Sequence, residues 1–385
     1  VTFRIDVTSA GALPERFDVE AMVREKGGEQ IIARADQGIR PADTLRDLQL
    51  SCKIPDAKPW TPTTPNLYEA TIRITGGDQV HDEVTFTFGM RAFEVKDGHF
   101  ALNGQRIWLR GSNMLHEWLW GEEYTANRKQ YLIDEARAMN LNCFRTHTGP
   151  PPATWLETAN EHGMMFLAEL PLLYNHGDFG YTAEEYEVLH RNAMLDVRGY
   201  LPRMWNHPSI ILWVASNESH LDNQWEAGPY YELFKQLDPT RPVMRTGEEL
   251  VGTPDVVDVH TCFNVVRGPE GQLPVEMARL AARKDPRRPL TNTEYMNRMW
   301  DPSGRWLGKD GHPDGDLACA ECATEHNEAM RRLQFDCVLP YMYAGWTHLR
   351  GRGNWREDYA TPMAAALHSA MAPVLASADL FDRNF

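Results

Sequence analysis

Two glutamates in the 385-residue chain stand directly behind apolar runs of strand length. Glu218 follows Ser209-Ile210-Ile211-Leu212-Trp213-Val214-Ala215 and the polar pair Ser216-Asn217. Glu294 follows Leu290-Thr291-Asn292-Thr293 and precedes Tyr295. A carboxylic acid with a raised pKa can protonate a leaving oxygen while a second, anionic carboxylate attacks a carbon. Facing each other across ~5 Å, such a pair suits hydrolysis of a glycosidic bond with retention of configuration. The Asn-Glu dipeptide alone discriminates little, since it also occurs at Asn160-Glu161 and Asn327-Glu328. Those two lie in segments of helical pattern, and only Asn217-Glu218 follows a buried-strand run.

Further polar residues close other apolar runs. Arg110-Gly111-Ser112-Asn113, then His116, follow the first. Arg145-Thr146-His147, Glu169, His260 and Trp346-Thr347-His348 follow later ones. In a (β/α)8 barrel the C-terminal strand ends form the active-site rim, so this polarity is expected at one mouth. Glu169 reads there as a carboxylate bracing the mouth through an arginine or histidine.

The elements that would position these residues come in two textures. Residues 1 to about 90 alternate apolar and polar side chains, as in Phe17-Asp18-Val19-Glu20-Ala21 and Val84-Thr85-Phe86-Thr87-Phe88, with turns at Gly27-Gly28 and Gly76-Gly77. That pattern predicts an antiparallel sandwich of six or seven strands. Beyond residue 95, eight short apolar runs alternate with amphipathic segments. The runs are Ile107–Leu109, Cys143–Arg145, Met165–Ala168, Ile210–Trp213, Val243–Arg245, Val256–Val259, Leu290–Asn292 and Tyr341–Ala344. Helices are expected over 127–140, 151–162, 184–205, 228–237, 319–334 and 360–372. The fold class is thus multi-domain: an all-β sandwich over 1–92 and an α/β TIM (β/α)8 barrel over 93–375.

Composition narrows the partners. A net charge of −15 repels phosphate backbones and argues against nucleic acid. No apolar run reaches the ~20 residues of a membrane helix. Twelve Trp and thirteen Tyr supply rings that can stack on sugars, although most are expected in the core. Of six Cys, Cys319 and Cys322 are the close pair, and no second pair at zinc-site spacing accompanies them. The compartment stays open, a periplasmic or secreted site included, and so does assembly into a homo-oligomer.

The stretch Asn206-His207-Pro208-Ser209 through Asn217-Glu218-Ser219 resembles the acid/base signature of glycoside hydrolase family 2, which holds β-galactosidases, β-glucuronidases and β-mannosidases. Trp60-Thr61-Pro62-Thr63-Thr64-Pro65-Asn66-Leu67-Tyr68 is similar to that family's central immunoglobulin-like domain, and Phe88-Gly89-Met90-Arg91 to its junction with the barrel. Leu102-Asn103-Gly104 through Asn113 and His116 resemble its first barrel strand, and Arg288 to Tyr295 its nucleophile strand. The resemblance implies Glu218 as acid/base and Glu294 as nucleophile. It implies Asn217 on the sugar 2-hydroxyl, and Asn113, His116 and Tyr295 bordering the sugar. Arg145 and His260 would lie near the nucleophile, and Trp346 would stack on the sugar.

The chain departs from the family in places. Thr146-His147-Thr148-Gly149-Pro150 displaces the family's histidine by about one position, and Cys262-Phe263 stand where a tyrosine is usual. His176 has no matching glutamate for a metal, and hydrolysis by paired carboxylates needs no metal or cofactor. The resemblance implies a retaining exo-β-glycosidase, an immunoglobulin-like fold for the all-β sandwich over 1–92, and the start of a further C-terminal domain over 376–385. Glu218-Ser219 and Glu294-Tyr295-x-x-x-Met299 lean toward a β-galactosidase. Arg350 and Arg352 favour a β-glucuronidase instead. A sugar-binding fragment without turnover is the rival from another class.

Overall fold

In a computed structural model of the chain, the residues described are 1–9, 11, 15–40, 45–115, 126–172, 180–218, 226–247, 253–265, 278–300, 324–341 and 362–374. The chain divides into two compact units. One is Val1–Arg91 with Asn206–Pro208, the other Ala92–Trp205 with Ser209–Phe385. The expected segment 376–385 lies outside the described residues.

The first unit is an antiparallel sandwich. Its strands are β1 (Thr2–Ile5), β2 (Phe17–Glu25), β3 (Ala33–Ile39), β4 (Leu48–Ser51), β5 (Tyr68–Gly76) and β6 (Gln79–Phe88). One sheet has the order β3-β2-β5-β6 and the other pairs β1 with β4. Phe3 and Leu50 from the small sheet join Phe17, Val19, Tyr68 and Ile72 from the large one in a single apolar cluster. Period-two alternation places these residues inward, as the sequence suggests. The edge strand β6 departs from that pattern. Val84 is exposed, and only Phe88 of this strand is buried.

The second unit opens with the three-stranded sheet β7 (Phe93–Lys96), β8 (His99–Leu102) and β9 (Gln105–Arg106). Eight strands follow: β10 (Leu109–Leu115), β11 (Cys143–His147), β12 (Met165–Glu169), β13 (Ile210–Asn217), β14 (Val243–Thr246), β15 (Val257–Val265), β16 (Leu290–Trp300) and β17 (Cys337–Pro340). Neighbours pair in parallel in the order β14-β13-β12-β11-β10-β17-β16-β15. No ladder joins β14 to β15 among the described residues, and side chains bridge that gap. Asp255 Oδ2 accepts from the Val243 amide at 3.0 Å, and Asp258 Oδ2 from the Gly247 amide at 2.9 Å. The result is a nearly closed (β/α)8 barrel.

Two strands differ from the sequence reading. The first lies at Leu109–Leu115 rather than Ile107–Leu109, so Arg110 to Asn113 are strand residues. Gly111 permits this, because a Cβ there would sit 2.1 Å from the Cys143 carbonyl. The last lies at Cys337–Pro340 rather than Tyr341–Ala344. Cys337, Val338 and Leu339 are fully buried, Tyr341 is already a bend, and residues 342–344 lie outside the described set.

Helices pack outside the strands. The longest, Ala183–Met204, starts at a capping box: Thr182 Oγ1 accepts from the Glu185 amide, and Glu185 Oε2 from the Thr182 amide. It buries Val197 and Leu201 in the cluster that holds Trp213 and Phe234. Burying a side chain of this size is worth about 1.5–3 kcal/mol. Trp213 is also fixed at its polar end, donating Nε1–H to Asp238 Oδ2 at 2.8 Å. Arg241 pairs with the same oxygen at 2.6 Å and lies over the Trp213 ring.

Burial disfavours the Asp238 anion, but Arg241 and three hydrogen-bond donors prevail and hold its pKa at about 2. A depressed carboxylate stabilises the fold above its unfolded pKa, and this contribution is lost as pH falls through the folded one. Denaturant titrations should therefore show it fading between about pH 4 and 2. Asp238→Ala at neutral pH removes the carboxylate partner of the buried Arg241 guanidinium, and should cost about 3–5 kcal/mol in the same experiment.

Candidate active site

The guanidinium of Arg145, on β11, has no exposed surface. Its donors are shared among residues of five other strands. Nε donates to Glu169 Oε2 at 2.5 Å. Nη1 donates to Glu294 Oε1 at 2.7 Å and Asn113 Oδ1 at 3.1 Å. Nη2 donates to Asn217 Oδ1 at 2.5 Å and Thr246 Oγ1 at 3.0 Å. An interior charge is tolerable only when paired and hydrogen-bonded in this way. Burial works against the Arg145 cation, and Glu169 and Glu294 outweigh it.

Glu294 is equally enclosed. Burial opposes its ionisation, yet His260, a hydrogen bond from His147 and Arg145 together hold its pKa far below the usual carboxylate range. His147 Nε2 lies 3.1 Å from Oε1, and His260 Nδ1 lies 3.9 Å from Oε2. Glu169 shares the same guanidinium, but there burial prevails and raises its pKa. One arginine thus serves two carboxylates whose pKa values move in opposite directions.

Glu218 lies at the end of β13 with its backbone at φ 48°, a left-handed conformation that costs a residue with a Cβ about 1–3 kcal/mol. The Glu218 amide donates to the Thr246 carbonyl at 2.8 Å, which holds that turn. Its side chain is about one-third exposed (34%), against 3% for Glu294. Oxygens of the two carboxylates and His260 Nδ1 lie within 4.8 Å of one another. The turn needs Gly247 as its neighbour. Gly247 has φ 81°, and a Cβ on it would come 2.8 Å from both Glu218 Cγ and His260 Nδ1.

These three groups could converge on a cation. His260 Nδ1, however, is hydrogen-bonded to Glu218 Oε1 at 2.7 Å. Burial lowers the imidazole pKa, but Glu294, Asp258 and Glu218 more than reverse this and raise it to about 10. A metal ligand must be neutral imidazole, so the donor set fits a metal poorly.

Most of the residues singled out by sequence are brought together: Glu218, Glu294, Asn217, Asn113, Arg145 and His260, with His147 beside Glu294 despite its shifted place. Asn217 Oδ1 accepts from both Arg145 and Thr246. Its Nδ2 is buried and has no partner among the described residues. Asn113 is already engaged, accepting from Arg145 and donating Nδ2–H to the Thr293 carbonyl at 2.8 Å. Tyr295, expected to border the sugar, faces elsewhere: its ring lies against His326 and its hydroxyl accepts from Asn327 at 2.7 Å. His116, Trp346 and His176 lie outside the described residues.

Sequence reading missed Thr246, Gly247, Asp258 and Thr293. The sole signal for Asp258 was its place two residues before His260. It is fully buried and accepts from the Thr291 and Thr293 hydroxyls and the Gly247 amide.

The chain resembles known proteins along its length. Residues 93–307 match the family described as glycosyl hydrolases family 2, TIM barrel domain, and residues 1–91 match glycosyl hydrolases family 2. A β-galactosidase of Psychromonas ingrahamii is 28% identical over 295 residues, 74% of this chain and 27% of that protein. A putative β-glucuronidase of Formosa agariphila is 29% identical over 323 residues, 82% of this chain and 28% of that protein. The chain therefore spans less than a third of either relative. The solved structure of Bifidobacterium dentium β-glucuronidase complexed with coumarin-3-O-glucuronide superposes with a TM-score of 0.72 at 19% identity, over 93% of this chain and 61% of that one. At that identity it speaks for the fold.

Arg145 gives a direct stability test of this cluster. Arg145→Gln removes the guanidinium that Glu294 and Glu169 share, and should lower unfolding free energy by about 3–5 kcal/mol at neutral pH in denaturant titration.

Proposed function

The chain belongs to glycosyl hydrolase family 2, and from that premise we propose that the full-length protein is a retaining, exo-acting β-glycosidase with Glu294 as nucleophile and Glu218 as acid/base. The observation that carries this reading is the pair itself. Two carboxylates with oxygens within 4.8 Å have the separation of a retaining enzyme, one buried and held anionic, the other more exposed.

The proposed reaction has two displacements. A Glu294 oxygen bonds to the anomeric carbon as the glycosidic C–O bond breaks, and Glu218 gives its proton to the departing oxygen. Water then gives a proton to Glu218, its oxygen bonds to the same carbon, and Glu294 leaves as a carboxylate. Two inversions restore the configuration. Arg145 and His147 hold the Glu294 anion in place for attack. Asn217 is oriented by the two donors on Oδ1, which leaves Nδ2–H to donate to the sugar 2-hydroxyl. Asn113 acts through Arg145. His116 and Trp346 are assigned to the sugar subsite on the resemblance alone.

The substrate reading is a terminal β-galactoside. Glu218-Ser219, the Met299 spacing and relatives named β-galactosidases support it. The second reading, a β-glucuronide, has the Formosa relative and Arg350 and Arg352 in its favour. A panel of aryl β-glycosides offered to the full-length protein separates the two. One sugar should be cleaved, and Glu294→Gln and Glu218→Gln should each lower kcat/KM on it by roughly a thousandfold, about 4 kcal/mol. Wild-type inactivity on every glycoside, or variants equal to wild type, would overturn the mechanism. Calorimetric sugar binding without hydrolysis would then identify a binding fragment.

A further inference from the structure

The Asp258–His260 pair has no part in the double displacement as written, yet its hydrogen bonds determine where protons sit. Thr293 Oγ1 donates to Asp258 Oδ2 at 2.7 Å. The hydroxyl hydrogen is thereby spent, so its contact with His260 Nε2 at 3.0 Å must be an Nε2–H donating to Thr293. Asp258 Oδ2 lies 3.3 Å from the same nitrogen. Nε2 is therefore protonated, and Nδ1 faces Glu218 Oε1 at 2.7 Å. When Glu218 is a carboxylate, that contact requires Nδ1–H as well, and a ring bearing both hydrogens is a cation.

Every element around the ring contributes to this arrangement. β13 brings Glu218, β16 brings Glu294 and Thr293, and β15 supplies Asp258. Gly247, after β14, lets the backbone close against the ring. Arg145 and His147 meet Glu294 at its other oxygen. Asp258 itself is fixed by the Thr291 hydroxyl and the Gly247 amide.

We propose that Asp258 is a positioning residue of the reaction: acting through His260, it keeps an imidazolium between Glu218 and Glu294, and this cation sets the pH range over which one glutamate is protonated and the other is not. The inference rests on the roles proposed above for the two glutamates. The cation separates two like charges that would otherwise repel within 4.8 Å. The raised pKa of His260 accords with this geometry.

The test uses full-length wild type, Asp258→Asn and His260→Gln. The pH profile of kcat/KM reports the free enzyme's acid and base. Loss of a neighbouring cation should move both limbs to higher pH by roughly one unit or more in both variants. His260→Gln keeps the measurement decisive if Asp258→Asn fails to fold. A merely structural role would lower activity at every pH and leave the limbs in place, and that result overturns the inference while the glycosidase reading stands. Selective 15N-histidine NMR gives a readout independent of turnover. The His260 ring should stay protonated through pH 8 in wild type and titrate near the ordinary ~6.5 in Asp258→Asn. A wild-type ring already neutral at pH 7 overturns the inference. Wild-type inactivity on every glycoside removes the roles of the two glutamates, and this one with them.

Discussion

The site depends on the burial of the Arg145 charge. A guanidinium with no exposed surface survives inside a barrel only if its donors find acceptors, and here Asn113, Glu169, Asn217, Thr246 and Glu294 provide them. Because these partners come from separate strands, satisfying one charge fixes several strand ends together. The anion at Glu294, the orientation of Asn217 and the engagement of Asn113 all follow from that requirement. The fixed side chains lie where the chemistry is proposed, so a demand of folding also preorganises the site.

A second cation, at His260, completes the electrostatics. Two carboxylates this close cannot carry equal charge without compensation. Arg145 and His147 meet Glu294 at one oxygen while His260 stands between it and Glu218. The strands reach this arrangement by breaking their own regularity. The parallel register shifts between Val214 and Asn217, between Val259 and His260, and between Asn292 and Tyr295. Each irregularity falls at or beside a residue of the candidate site, Asn217, His260 or Glu294, in keeping with the use of bulges to re-aim side chains.

Those irregularities mark how far the sequence could be read. The runs Ile210 to Val214 and Leu290 to Asn292 are legible as strands because a barrel strand is buried on both faces and reads as continuous apolar chain. Glu218 and Glu294 are legible because a carboxylate behind such a run has little reason in packing. Adjacency to Glu294 suggests a shared site for Tyr295, whereas strand geometry sends consecutive side chains to opposite faces, and the Tyr295 ring lies against His326. The last strand was displaced because Tyr341 to Ala344 looks as apolar as Cys337 to Leu339, and burial separates the two only in three dimensions. Asp258 and Gly247 were illegible for a similar reason. Their value lies in partners more than 30 residues away, as with Thr293, or in a close approach of backbone that no local pattern announces.

The separation of Glu218 and Glu294 makes a stereochemical statement, and stereochemistry tests it most directly. The full-length protein should be mixed with the aryl β-glycoside it cleaves, and the anomeric proton followed by NMR before mutarotation. The first sugar released is expected to be the β-anomer, through a covalent intermediate on a carboxylate within 4.8 Å of its partner. Initial appearance of the α-anomer would mean a single displacement by water, and would contradict the assignment of Glu294 as nucleophile.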